Sequence, residues 1–265
     1  MNLEKIKLVV SDMDGTLLNS KNQISDRFFT LFKKLQDKNI TFCAASGRQH
    51  NSIIDKLAPI KNDIFVIAEN GGIAKKGDET LLANFLNPKK VLELIPVLRK
   101  IKGANIVLCC NNNAYIESKD PEFTTLFQEY YTSFKQVENL LEIAEKTPVF
   151  KIAIYHFKSS EEYIYPVVAK FSKEILIKIS GTNWLDISTE KANKGNALKE
   201  IQKILNIGKT ETMVFGDYHN DIEMMQEADF SFAMENAHKD IKKIAKYTTK
   251  SNNEFGVESI LEKLV

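Results

Sequence analysis

Three apolar runs in the first 75 residues, KLVVSD, ITFCAAS and DIFVIAENGG, constrain this chain more than any other feature. Each is continuously hydrophobic, so neither face of the strand it would form can meet water. Buried strands of that kind belong to parallel sheets covered by helices on both sides. Helical segments separate them. SDRFFTLFKKLQDKN places Phe28, Phe29, Leu31, Phe32 and Leu35 at helical spacing behind a capping Ser25, and QHNSIIDKLAPI reads as a shorter helix. The same alternation returns at the end. KGNALKEIQKILNI is read as a helix, TMVFGD as a strand, NDIEMMQEA as a helix, DFSFAM as a strand, and NAHKDIKKIAK and GVESILEKLV as helices.

The middle of the chain has another texture. The helix PKKVLELIPVLRKIK is followed by NIVLCC and AYIES flanking NNNA, a hairpin pattern. FTTLFQEYYTSF and VENLLEIAEK read as helices and VFKIAIYHF as a strand. SEEYIYPVVAKFSK reads as a helix, and ILIKIS with WLDIS as a second hairpin. Hairpins among helices indicate an α+β domain with a largely antiparallel sheet. The expected fold is therefore α/β: a Rossmann-like parallel-sheet core formed by residues 1–84 and 186–265, with an inserted α+β domain at 85–185. The aromatic residues of FTTLFQEYYTSF are read as interior of that insert.

Composition excludes several classes. A formal net charge of +1 over 265 residues offers no global field for nucleic acid or anionic membrane. No apolar run has the length needed to cross a bilayer, and MNLEKIKLVVSD has no signal-peptide pattern. The three cysteines, Cys43, Cys109 and Cys110, lack the spacing of a zinc site or disulfide framework and are read as buried thiols. A cytoplasmic protein, monomeric or weakly dimeric, is expected.

Three core strands end in polar clusters: SDMDGT, SGR at Ser46 to Arg48, and GDYHND at Gly216 to Asp221. Ligands of parallel α/β sheets bind beyond the carboxyl ends of the strands. If these strands are neighbours, Asp12, Asp14, Asp217 and Asp221 converge, and four carboxylates together need a cation. Their hard oxygens favour Mg²⁺. A calcium loop starting at Asp12 would need Gly and Glu where Leu17 and Gln23 stand.

Taken in order, DMDGTLL, SGR, NKGNAL and GDYHNDIEMM resemble the four motifs of the haloacid dehalogenase-like phosphatases. The length and the position and composition of the insertion are similar to the Cof-type branch with a C2B cap. Tyr218 departs from the pattern, where a small residue such as Gly is commoner.

The resemblance implies hydrolysis of small-molecule phosphate monoesters, sugar phosphates foremost, with Mg²⁺ as cofactor and a cap selecting the substrate. It implies that Asp12 is the nucleophile, forming an aspartyl-phosphate, and that Asp14 is the acid and base. Asp12, the Asp14 carbonyl and Asp217 would hold the metal, with Asp221 as an indirect ligand. Ser46 and Lys194 would bind the phosphoryl group, and Asn220, Gly47 and Arg48 would contribute to substrate binding. Lys194 is preferred over Lys191 because a Lys-Gly pair opens the helix in the family motif. His219 is read as pointing away from the metal. A phosphomutase of the same superfamily and a non-catalytic binding protein on this fold stay open as alternatives.

Overall fold

The computed structural model describes residues 3–111 and 113–265. Among the described residues fourteen strands are formed: β1 Leu8–Asp12, β2 Thr41–Ala45, β3 Phe65–Ala68, β4 Ile73–Lys76, β5 Glu79–Ala83, β6 Ala104–Cys110, β7 Ala114–Ile116, β8 Phe134–Gln136, β9 Val149–His156, β10 Leu176–Ile179, β11 Trp184–Ser188, β12 Thr212–Gly216, β13 Phe230–Ala233 and β14 Tyr247–Thr248. They make one eight-stranded and one six-stranded sheet. The chain divides into two compact units. The first comprises Met1–Ser46, Ile53–Leu82 and Asn193–Val265; the second comprises Gly47–Ser52 and Ala83–Ala192.

The first unit is built on the order β14-β13-β12-β1-β2-β3-β4-β5. The pairs from β14 to β3 are parallel, and β4 returns antiparallel to β3. Leu8, Val9 and Val10 are fully buried in the central strand, as a sheet covered on both faces requires. The helix Asp26–Asp37 begins at Ser25, whose side chain accepts from the Phe28 amide. It buries Phe28, Leu31, Phe32 and Leu35. The β4–β5 ribbon was not visible in the sequence, because its strands are short, edge-placed and half polar.

In this sheet β1 lies between β2 and β12. Asp12 is in register with Ala45, so Ser46 follows beside it, and Ser11 is in register with Phe215, two residues before Asp217. The three polar clusters thus lie on adjacent strands at one end of the sheet.

The second unit carries the order β10-β11-β9-β6-β7-β8, antiparallel except for the parallel pair of β7 and β8. Both faces of the sheet are covered, which explains the largely apolar runs of β6 and β9. Ile106, Leu108, Ile152 and Ile154 face a core shared with Val91, Leu94 and Leu98 of the helix Pro88–Leu98. Val107, Cys109, Ala153 and Tyr155 face a second core with Phe123, Phe127 and Tyr131. This is the period-two alternation of a strand. β11 runs to Ser188, past the boundary expected at residue 185. The centre of the expected NNNA hairpin turn, Asn112, and the first two residues lie outside the described residues.

Two expected helices differ. FTTLFQEYYTSF is helical only to Phe127; Tyr131 stacks back on Phe127 with ring centroids 4.6 Å apart, and Phe134 opens β8. SEEYIYPVVAKFSK is split into the short turns Ser160–Tyr163, Tyr165–Val168 and Ala169–Phe171. Pro166 lacks the amide that would continue the first helix.

Candidate active site

Asp12 is the last residue of β1 and is 4% exposed. The chain then turns sharply: the Thr16 and Leu18 amides donate to the Met13 carbonyl at 3.3 and 2.8 Å. Gly15 makes the turn with φ +75°, and a Cβ there would lie 2.3 Å from Asp217 Oδ2. A residue with a side chain would be strained in the backbone and would collide with a carboxylate. The turn is fastened by Thr16 Oγ1, which donates to Asp217 Oδ1 at 3.2 Å, and by Asn236 Nδ2, which donates to the Gly15 carbonyl at 2.8 Å.

Lys194 is the first residue of the helix Lys194–Leu205, whose start is capped by Asn193 accepting from the Asn196 amide at 2.8 Å. Its ammonium is fully buried and donates to Asp12 Oδ1 at 2.5 Å and Asp221 Oδ1 at 2.7 Å. Lys191 is exposed. The glycine after Lys194 allows a close approach, since a Cβ on Gly195 would lie 2.5 Å from the Glu223 carbonyl oxygen.

Asp221 uses both oxygens within the protein. Besides Lys194, it accepts from the amides of Asp217 at 2.9 Å and Tyr218 at 3.2 Å, closing the loop after β12 around its own side chain. Asp12 does not: its Oδ2 is buried without a hydrogen-bond partner among the described residues. One ligand oxygen each from Asp12, Asp217 and Asp221 lies within 4.8 Å of the others.

This crowding has electrostatic consequences. Burial raises the Asp12 carboxyl well above its usual range, and Lys194 opposes that rise while Asp221, Asp217 and Asp14 add to it. Asp217 is raised to about 7, first by desolvation and then by the negative charge of Asp221. Burial alone would depress the Lys194 ammonium, but Asp12 and Asp221 more than offset it, so the group is held charged. The cluster therefore carries one buried cation against several carboxylates. An unpartnered buried oxygen in an all-oxygen donor set is what a hard divalent cation fits.

The remaining expected residues are placed as follows. Asp14 lies in the turn, bridged to Leu18. Ser46 is buried directly after β2. Its amide donates to the Ile67 carbonyl at 2.9 Å, and its carbonyl accepts from the Asn70 amide at 3.0 Å. Asn220 donates from Nδ2 to Asn70 Oδ1 at 3.0 Å. Gly47 and Arg48 group with the second unit. There the Gly47 carbonyl accepts from Lys151 Nζ at 2.8 Å, and Lys151 also meets Asp186 at 3.3 Å. The Arg48 guanidinium is buried, donates to the Glu129 carbonyl and lies 5.0 Å from the centre of the Tyr130 ring. Thr16, Asn70, Asn193 and Asn236 were not singled out in the sequence; Thr16 and Asn70 stand within the quoted motifs DMDGT and ENGG, which was the available signal.

A family model described as haloacid dehalogenase-like hydrolase matches residues 9–261. The chain belongs to this family. The 5-amino-6-(5-phospho-D-ribitylamino)uracil phosphatase of Escherichia coli strain K12 is 32% identical over 267 residues, covering 98% of this chain and 96% of that one. A solved structure from Streptococcus mutans UA159 superposes with a TM-score of 0.88 at 28% identity, covering 97% and 98% of the two chains. A haloacid dehalogenase-like hydrolase from Bacillus subtilis has a TM-score of 0.88 at 25% identity, covering 98% and 100%. The chain is a phosphatase of the haloacid dehalogenase-like family. Among the described residues no helix is long and apolar enough to cross a membrane.

Proposed function

We propose that this phosphatase hydrolyses small phosphate monoesters through a covalent intermediate on Asp12, with Mg²⁺ as cofactor. The observation that carries the reading is the division of labour at Asp12: Oδ1 is held by Lys194, while the buried Oδ2 has no hydrogen-bond partner among the described residues. The cation would be held by Asp12 and Asp217, with the Asp14 carbonyl as the family resemblance implies. When bound, it supplies positive charge to the phosphoryl oxygens and to the crowded carboxylates.

The chain's own residues do the rest. An Asp12 carboxylate oxygen attacks phosphorus, and the bond from phosphorus to the leaving oxygen breaks. Asp14 gives its proton to that oxygen, so the alcohol departs neutral. Water then attacks phosphorus of the aspartyl-phosphate and Asp14 takes a proton from it, releasing inorganic phosphate and restoring Asp12. Lys194 faces the carboxylate that gains and loses the phosphoryl group and steadies its charge throughout. Ser46, at the end of the neighbouring strand, is assigned to a phosphoryl oxygen. Asp221 acts by orienting Lys194 and the loop after β12.

For the substrate class we propose sugar phosphates or phosphorylated sugar alcohols, the latter in line with the ribityl compound in the E. coli relative's name. The test is a set of initial rates with Mg²⁺ on sugar phosphates, nucleotides, pyridoxal phosphate and the phosphoribitylamino pyrimidine. A kcat/KM at least tenfold higher for one sugar-type ester supports the assignment. Equal rates across the panel would refute it, and full activity in excess chelator would refute the metal.

A further inference from the structure

A second group of metal-ligating atoms lies outside the carboxylate cluster. His219, His238 and Asp240 each offer one ligand atom within 4.8 Å of the others. His219 Nε2 is 3.4 Å and His238 Nδ1 3.5 Å from the same oxygen, Asp240 Oδ2. Ligands bonded at about 2.0 Å in a tetrahedral shell stand roughly 3.3 Å apart, so these separations suit one ion between them. The other Asp240 oxygen is occupied by Lys243 Nζ at 3.1 Å. The Asp240 amide donates to His238 Nδ1 at 3.3 Å, so the neutral ring carries its proton on Nε2 and Nδ1 holds the lone pair; an ion bound there takes the place of this long capping bond. The two imidazoles are 4.3 Å apart, and the Tyr218 ring packs beside both, at 4.9 and 5.9 Å. Their side chains are 32–42% exposed, which leaves a path for an ion and room for water to complete its shell.

We infer that His219, His238 and Asp240 form a second, solvent-open site for a borderline divalent transition metal, with Zn²⁺ as its representative. Two imidazoles and one carboxylate are the donors such ions take, whereas Mg²⁺ prefers oxygen alone. The site is joined to the catalytic loop, because the His238 amide donates to the Asp217 carbonyl at 2.8 Å. An ion there ties the loop bearing His219 to the helix Lys239–Ile244 and gives the Tyr218–His219 pair a role that phosphate chemistry leaves unassigned.

The experiment uses the full chain in excess Mg²⁺, which keeps the all-oxygen cluster occupied. Zn²⁺ is added while the ring signals of the four histidines, His50, His156, His219 and His238, are followed by NMR. The signals of His219 and His238 should shift together and saturate near one equivalent, with His50 and His156 unmoved. By calorimetry, His219→Ala and His238→Ala should each weaken Zn²⁺ binding by at least about tenfold, as loss of an imidazole ligand does. Both should keep Mg²⁺-supported turnover when Zn²⁺ is absent. The inference falls if Zn²⁺ leaves both wild-type rings unshifted. It also falls if both variants bind Zn²⁺ as the wild type does, which would place the ion on the carboxylates.

Discussion

The Lys194 ammonium donates to Asp12 Oδ1 at 2.5 Å, and neither side chain is more than 5% exposed. A buried ion pair is a poor source of stability in itself, but removing one partner leaves an uncompensated charge. Here it would leave two, since Lys194 also serves Asp221. Lys194→Ala should therefore lower stability by about 3–5 kcal/mol in chelator. Urea unfolding measures this, and Mg²⁺ should restore part of the loss. A variant as stable as wild type in chelator would mean that Asp12 or Asp221 is neutral in the folded protein.

The two aspartates of DMDGT should separate kinetically. Asp12→Asn should reduce kcat by about 10⁴-fold or more, because an amide cannot replace the nucleophile. Asp14→Asn should slow hydrolysis of the intermediate more than its formation when the leaving group is good. Rapid-quench kinetics on p-nitrophenyl phosphate should then show a burst close to one equivalent. Near-normal turnover by Asp12→Asn would remove Asp12 from the role proposed for it.

Protons and cations should compete at Asp217. Its carboxyl titrates at about 7 in the metal-free fold, against roughly 4 in an unfolded chain. Between those values the folded state holds the extra proton, so rising pH favours the unfolded state. In chelator, stability contributed by Asp217 should be fully present below pH 4 and lost as pH rises through 7. The Tm gain produced by Mg²⁺ should grow over the same interval and level off above it. At a hundredfold excess over Kd that gain corresponds to about 2.7 kcal/mol. Asp217→Asn should flatten both trends; a wild-type gain independent of pH from 5 to 8 would contradict the competition.

The acidic clusters were legible because the strands that carry them are. Continuous burial of Leu8, Val9 and Val10 and of Met213, Val214 and Phe215 leaves each aspartate with one place to emerge, the carboxyl end of its strand. The neighbourhood of Lys194 and Asp12, 182 positions apart, was legible only through the family motifs. The ENGG segment was harder. Glu69 and Asn70, whose side chain meets Asn220, both adopt left-handed backbone angles, at φ 52° and 54°; Asn tolerates that region, but nothing about Glu announces it. The contacts of Arg48 were not legible either: no local pattern reveals that its guanidinium meets the Tyr130 ring and the Glu129 carbonyl.

Two glycines with the same backbone sign should respond differently to alanine. Gly15 at φ +75° would place a Cβ 2.3 Å from Asp217 Oδ2, whereas Gly77 at φ +55° would meet nothing within 4 Å. Each substitution brings a left-handed alanine, costing about 1 kcal/mol. Only Gly15→Ala also pushes on a carboxylate of the site. Displacements near 1 Å at a reacting centre cost on the order of a hundredfold in rate. Gly15→Ala should thus lose about that much kcat and weaken Mg²⁺ binding, while Gly77→Ala keeps wild-type kinetics at a similar small loss of Tm. Chelator-free thermal melts and Mg²⁺ titrations of both variants make the comparison. If Gly15→Ala retains wild-type kcat and Mg²⁺ affinity, the close approach of Gly15 to Asp217 plays no part in setting the site.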